Sequence, residues 1–222
     1  LMAAVAAPGA LVLEKMPRPA RKVMITGKGR CNFSNVKPWQ DFCAHIHPKA
    51  NVVKSAFYSL PPEKVMEMFG NAGLECVVER GERAFPASHK AVDVVDTLVR
   101  MVREKGSSIM YGTTVSAVTK QDDGFHIDTT DGRKFHCSKL IITCGGLSYP
   151  TTGSTGDGAR LAAQTGHTIV PLKEALTPIY VTDFPFKELS GISLQNAAIR
   201  IIRDRKPVAS AKGDLLLARF GV

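Results

Sequence analysis

Leu140-Ile-Ile-Thr-Cys-Gly-Gly146 is an apolar run that closes on two glycines, and Tyr149-Pro-Thr-Thr-Gly-Ser-Thr-Gly-Asp157 after it opens a helix that stops at Gly166. A continuous apolar run reads as a strand buried on both faces, and strand, glycine turn and helix in succession belong to an α/β fold with parallel strands. Glycines there let backbone amides approach a ligand, and the helix N-terminus suits an anion. Ser154 or Thr155 is the expected N-cap.

Upstream, Ser88 to Gly106 carries Val92, Val95, Leu98, Val99 and Val102 on one predicted helical face, with the glycine as its stop. Pro61-Pro-Glu63 opens another helix facing inward through Val65, Met68 and Phe69. Between the second helix and Leu140 lie four short runs, Ser107 to Tyr111, Val115 to Lys120, Phe125 to Thr129 and Arg133 to Cys137, divided by Gly112, Asp123-Gly124 and Asp131-Gly132. They are expected to form an antiparallel meander. At the start, Leu1 to Ala7 is alanine-rich and Pro8-Gly9 breaks it, after which Ala10 to Leu13 is an expected buried strand ending at Glu14-Lys15. Leu1 has no cap and no strand before it, so a preceding segment is expected to be missing. From Pro178 the texture turns β-rich, with strands expected at Leu194 to Ile202 and Asp214 to Ala218. The expected domains are therefore 1–177, α/β and Rossmann-type with its meander, and 178–222, the start of a β-rich, barrel-like domain that Arg219 to Val222 does not terminate.

The 222 residues are 44% hydrophobic and 22% charged, which excludes a disordered chain and is long enough for a core without staples. Twenty-nine basic against 20 acidic residues give a net charge of +9, favouring an acidic partner such as a phosphate or nucleotide. A nucleic-acid binder would need aromatics interleaved with the basic residues, and Trp39 has no such company. Cys31, Cys43, Cys76, Cys137 and Cys144 form no CxxC pair, so neither a disulfide framework nor a thiolate zinc site is expected and a reducing compartment fits. The apolar opening is too short to span a bilayer.

Two further stretches carry candidate chemistry. Glu14 at a strand end has the placement of the acid that meets ribose hydroxyls in a dinucleotide fold. Arg21 to Asn35, with Arg21, Lys22, Gly27, Lys28, Gly29, Arg30, Cys31, Asn32, Ser34 and Asn35, reads as a ligand-binding loop in which cations neutralise phosphate and the amides and hydroxyl direct hydrogen bonds. Lys28 and Arg30 beside Cys31 suggest a reactive thiolate there. His45 and His47 alternate as metal ligands do but lack a third partner in spacing, and a solvated pair is the expected reading. No catalytic acid or base is indicated by the residues; Tyr149 is the one candidate donor, and a structural hydroxyl is its expected reading.

Gly27-Lys-Gly-Arg-Cys-Asn-Phe-Ser-Asn35, Arg83-Ala-Phe-Pro-Ala-Ser88 and Gly145-Gly-Leu-Ser-Tyr-Pro-Thr-Thr-Gly-Ser-Thr-Gly-Asp-Gly158 resemble the BaiN/YhiN-like flavoproteins, NAD(P)/FAD-dependent oxidoreductases, in the right order along nearly the whole chain. The resemblance implies a FAD-binding Rossmann-type domain and a β-barrel-like insertion, with the first strand and its GxGxxG loop absent. It implies Glu14 and Lys15 at the adenosine ribose, Arg21 to Asn35 along the flavin side, Val115 with its backbone at the adenine, and Thr143, Gly145 and Gly146 near the pyrophosphate. Hydride transfer between NAD(P)H or an organic substrate and the flavin, in the cytoplasm and away from membranes, is the function it implies. The alternative is a nucleotide-binding module without redox turnover.

Overall fold

The computed structural model describes residues 1–47, 49–173 and 178–222, which form two compact units, Leu1–Ile169 and Val170–Val222. The boundary expected at residue 177 lies outside the described residues. The first unit runs α1 (Met2–Ala6), β1 (Leu11–Leu13), α2 (Arg21–Ile25), β2 (Ser34–Asn35), α3 (Trp39–Cys43), α4 (Asn51–Ser59), α5 (Pro62–Asn71), β3 (Cys76–Glu79), β4 (Arg83–Pro86), α6 (Ala91–Glu104), β5 (Ser108–Met110), β6 (Val115–Gln121), β7 (Gly124–Thr129), β8 (Lys134–Cys137) and α7 (Asp157–Gln164). In the second unit β9 (Ser193–Arg203) and β10 (Lys206–Leu216) form an antiparallel hairpin.

The architecture is α/β and Rossmann-type, but its parallel pairing differs from the sequence expectation. Ser108 to Met110 does not join the meander. It runs parallel to β1, Leu11 opposite Ser108, after α6 has carried the chain back. Parallel neighbours require such a crossover, and α6 immediately before β5 supplies it. The meander is accordingly β6-β7-β8. A third sheet, β2-β4-β3, is antiparallel.

α6 begins at Ala91, three residues inside the expected start, and buries Val94, Val95, Leu98, Met101 and Val102; Val92 and Val99 sit at the margin of that stripe. The true stripe follows i, i+1, i+4, i+7 and i+8, and each fully buried aliphatic contributes roughly 1.5–3 kcal/mol. One core gathers Cys31, Phe69, Leu74, Ala91, Val94 and Leu98. A second gathers Val118, Ile127 and Leu161, with Leu13, Leu140 and Ile142 packed against it.

Four local expectations are corrected. β1 is half-buried rather than buried, with Leu11 at 45% exposure. Leu140 to Thr143 forms no strand ladder; it is an extended segment whose Leu140 and Ile142 turn to the core while Ile141 and Thr143 turn out, the alternation of a pleat without its hydrogen bonds. Gly156 at φ 86° occupies the N-cap of α7, where neither Ser154 nor Thr155 bonds the helix amides. In the second unit β10 starts at Lys206, well before Asp214, because Asp204 and Arg205 at φ 50° and 61° make a tight two-residue hairpin turn. Asp-Arg lacks the glycine that usually announces it.

Candidate functional site

The segment Arg21 to Asn35 is not a loop. α2 and a tight 3-10 turn at Thr26–Gly29 fill its first half, and β2 closes it. The backbone is left-handed at Ala20 (φ 54°), just before the segment, and within it at Gly27 (55°), Lys28 (57°), Gly29 (84°) and Cys31 (61°); Ala20, Lys28 and Cys31 carry a Cβ. Each non-glycine there costs of order 1–3 kcal/mol, and such strain persists where the surroundings over-determine it, as at ligand sites. Gly27 is required: a Cβ would lie 3.1 Å from the Asn32 nitrogen and 3.3 Å from the Phe85 ring.

Three stretches converge beyond the end of β1. The Lys15 ammonium donates to Thr155 Oγ1 and Asp157 Oδ2, both at 2.6 Å. Gly153 lies so close to Met16 that a Cβ would come within 2.9 Å of its Cγ. Lys22 of α2 reaches the Ser148 hydroxyl at 3.4 Å. A cleft of about 540 Å³ is lined by Pro17, Arg18, Arg21, Met24, Ile25, Thr151 and Thr152. The turn at Gly145 is tightly packed: a Cβ on Gly145 would meet Ser154 Oγ at 3.0 Å, and one on Gly158 would meet the Gly145 carbonyl at 3.2 Å. Tyr149 is left-handed at φ 53° and 66% exposed.

Glu14 continues β1, its amide donating to the Met110 carbonyl at 2.9 Å. Its Oε1 accepts from the Met16 amide at 2.8 Å and holds the turn. Among the basic residues, Arg18 pairs with Asp96 at 2.9 Å and Arg30 with Glu79 at 3.0 Å, while Arg21 forms no ion pair among the described residues. Arg30 also stacks 4.5 Å over the Phe85 ring, a cation–π contact that anchors the segment to β4. Asn35 donates to the Gly81 carbonyl at 2.9 Å and accepts from the Lys37 amide, so it shapes the β2 corner. The Asn32 amide nitrogen, turned to the carbonyls of Ser34 and Ala84 at 2.8 and 3.2 Å, ties the same strands. The Val115 carbonyl accepts from Arg160 at 3.0 Å, which draws α7 onto the meander edge. His45 and His47 gather no third ligand among the described residues.

Sequence reasoning spread Glu14, Lys15, Arg21, Lys22, Gly145 and Gly146 along the length of a cofactor and read Thr155 and Asp157 only as part of a glycine loop; it did not see that Asp157 gathers Lys15, Thr155 and Arg160. The Ser-Thr-Gly-Asp-Gly run was a visible signal, but its partner Lys15 is 142 residues away. Lys15, Thr155 and Arg160 hold the Asp157 carboxyl below its usual range, the Lys15 hydrogen bond acting most. A carboxylate with a depressed folded pKa adds stability that is complete above its unfolded pKa near 3.9 and disappears as pH falls through the folded one. Asp157→Asn is therefore expected to lower stability at neutral pH and to narrow its gap from wild type below about pH 4, as chemical denaturation at several pH values would read. A gap that stays constant down to pH 2 would contradict it.

Cys31 is 2% exposed, and burial pushes its thiol up, so the reactive thiolate expected beside Lys28 and Arg30 is overturned. Lys28 points into solvent and Arg30 to Glu79. Cys31 is expected to be the slowest of the five free thiols to label with an alkylating reagent, with the exposed Cys144 ahead of it, as peptide mass spectrometry would show.

The family model for the HI0933-like protein Rossmann domain matches residues 1–211. The 3-dehydro-bile acid delta(4,6)-reductase of Clostridium scindens is 29% identical over 214 residues, covering 95% of this chain and 50% of that protein. The ribosomal RNA dihydrouridine synthases of Escherichia coli and Haemophilus influenzae are 27% and 26% identical, covering 76% and 82% of this chain and 41% and 46% of theirs. The chain spans about half the length of these relatives. Among the described residues no helix is long and apolar enough to cross a membrane.

Proposed function

The chain belongs to the HI0933-like Rossmann-domain family, and from that membership we propose that it forms the FAD-binding portion of an oxidoreductase passing hydride between NAD(P)H or an organic substrate and bound flavin. The observation that carries this is the pairing of Lys15, at the end of β1, with Asp157, at the start of α7, together with the cleft that Arg18 and Arg21 share with Thr151 and Thr152. The residues present fit an anionic cofactor: Arg21 lines the cleft without an ion-pair partner among the described residues, so its guanidinium is available to a phosphate.

In this reading Glu14, whose Oε2 makes no hydrogen bond among the described residues, accepts from the ribose hydroxyls, and Lys15, held by Asp157 and Thr155, sets the turn that presents it. The backbone at Val115 faces the adenine. Thr143, Gly145 and Gly146 border the pyrophosphate, and Arg21, Lys22, Gly27, Gly29, Asn32, Ser34 and Asn35 position the flavin side. FAD held by these residues would supply the hydride chemistry, and the chain's own part would be to bind and orient it and to exclude water. The relatives' names share a reduction, of a delta(4,6) bile acid and of uridine to dihydrouridine, which supports a flavin-dependent reductase acting on an organic substrate. Five free cysteines agree with a reducing, cytoplasmic setting.

The test is the visible spectrum of the full-length protein. An oxidised-flavin spectrum that bleaches anaerobically with NADH or NADPH is the expected result. Protein that stays colourless after incubation with FAD would overturn the reading, and flavin that no nicotinamide bleaches would restrict it to binding without nicotinamide-linked turnover.

A further inference from the structure

The hairpin of β7 and β8 places two imidazoles side by side on the outer face of the meander. His126 and His136 are direct cross-strand partners, their ring centroids 4.8 Å apart. The inner face of the same strands carries Phe125, Ile127, Phe135 and Cys137 toward the core, so the pleat aims both histidines outward. At the turn before β7, Asp123 reaches over both rings. Its Oδ1 lies 3.0 Å from His126 Nε2 and its Oδ2 3.3 Å from His136 Nε2. Gly124 at φ 134° makes that approach possible, since a Cβ there would collide with the Cys137 carbonyl.

We propose that Asp123, His126 and His136 form a binding site for a divalent transition-metal ion, Zn²⁺ above all. The three ligand atoms lie within 4.8 Å of one another. Two ligands on a tetrahedral ion with bonds of about 2.0 Å sit roughly 3.3 Å apart; each imidazole nitrogen already stands at that spacing from one carboxylate oxygen, His126 from Oδ1 and His136 from Oδ2, and a turn of the carboxylate with closure of the two rings brings one oxygen and both nitrogens onto a single ion. Two imidazole nitrogens and one carboxylate are borderline ligands, suited to Zn²⁺ and unsuited to Mg²⁺ or Ca²⁺, which take oxygen shells. Because neighbouring strands carry the histidines, folding of the sheet has already met the ordering cost of chelation. Each neutral ring moves its proton from Nε2 to Nδ1 as Nε2 takes the metal. Solvent supplies the remaining ligand, and the ion ties β7, β8 and their turn together at the sheet edge.

The site is independent of the flavin reading and is tested apart from it, by calorimetric titration of ZnCl₂ into the chelator-stripped, tag-free full-length protein. One equivalent is expected to bind, weakened at least about tenfold in His126→Ala, His136→Ala and Asp123→Asn, and unchanged in a His45→Ala/His47→Ala double variant. MgCl₂ is expected to give no binding. Co²⁺ is expected to give an absorption spectrum without thiolate charge transfer, which excludes the cysteines as ligands. No binding by wild type, or binding that survives all three substitutions, would overturn the proposal. Should an alanine variant fold poorly, Asp123→Asn, an isosteric change at an exposed turn, decides the question by itself: affinity equal to wild type in that variant overturns the site.

Discussion

Replacing Phe85 by alanine is expected to cost about 3–5 kcal/mol of folding stability, the range for emptying a buried aromatic site. Phe85 is 1% exposed in the middle of the β2-β4-β3 sheet, where it lies opposite Val77. Its ring does more than fill volume. It carries Arg30 at 4.5 Å and Arg83 at 5.7 Å on its π system, and it sits where a Cβ of Gly27 would fall. Removing it therefore empties a core position, strips the Arg30 guanidinium of a stacking partner and unlocks the strained turn at Thr26–Gly29. Denaturant unfolding of the full-length protein would read the loss as a lower midpoint. Phe85→Leu, which keeps most of the volume but not the π face, is expected to recover part of it. A Phe85→Ala midpoint within error of wild type would show that this sheet does not support the fold.

Glu14→Ala is expected to weaken FAD binding by about 1.5–3 kcal/mol, or roughly 10- to 150-fold, the worth of hydrogen bonds to a charged acceptor. The structure adds a control. Glu14 Oε1 also accepts from the Met16 amide, so the alanine change loosens the turn that carries Lys15 toward Asp157. Glu14→Gln retains an acceptor for that amide and removes only the charge. If the carboxylate serves the ribose, the glutamine variant also binds more weakly in a titration of the full-length apoprotein; if Glu14 only shapes the turn, the glutamine variant binds like wild type. Unchanged affinity in both removes Glu14 from the site.

Part of the local structure was legible in the residues themselves. Whereas α2, α3, α4 and β2 to β4 were not read, α5 and α6 followed from apolar spacing and the meander hairpins from Asp123-Gly124 and Asp131-Gly132. These features depend on neighbours within a turn or two of chain, so a sequence window contains their cause. What the window does not contain is the partner. Ser107 to Tyr111 has the texture of any short strand, and only the return path through α6 made Ser108 to Met110 the parallel neighbour of β1 rather than a fourth meander strand. Arg21 to Asn35 reads as polar loop, yet Cys31 within it is core, because α5 and α6 bring Phe69, Leu74 and Val94 to that spot.

The same holds for chemistry. Lys15 and Asp157 are 142 positions apart, and their ion pair exists because the β1 end and the α7 start converge. His45 and His47, spaced as ligands, gather nothing among the described residues, while His126 and His136, ten apart in number, meet through the register of an antiparallel ladder. Sequence determines which segments coil, extend or turn, through short-range sterics and hydrophobic periodicity. Tertiary structure alone decides which side chains share a site, because that choice is made by burial and strand pairing summed over contacts far apart in the chain.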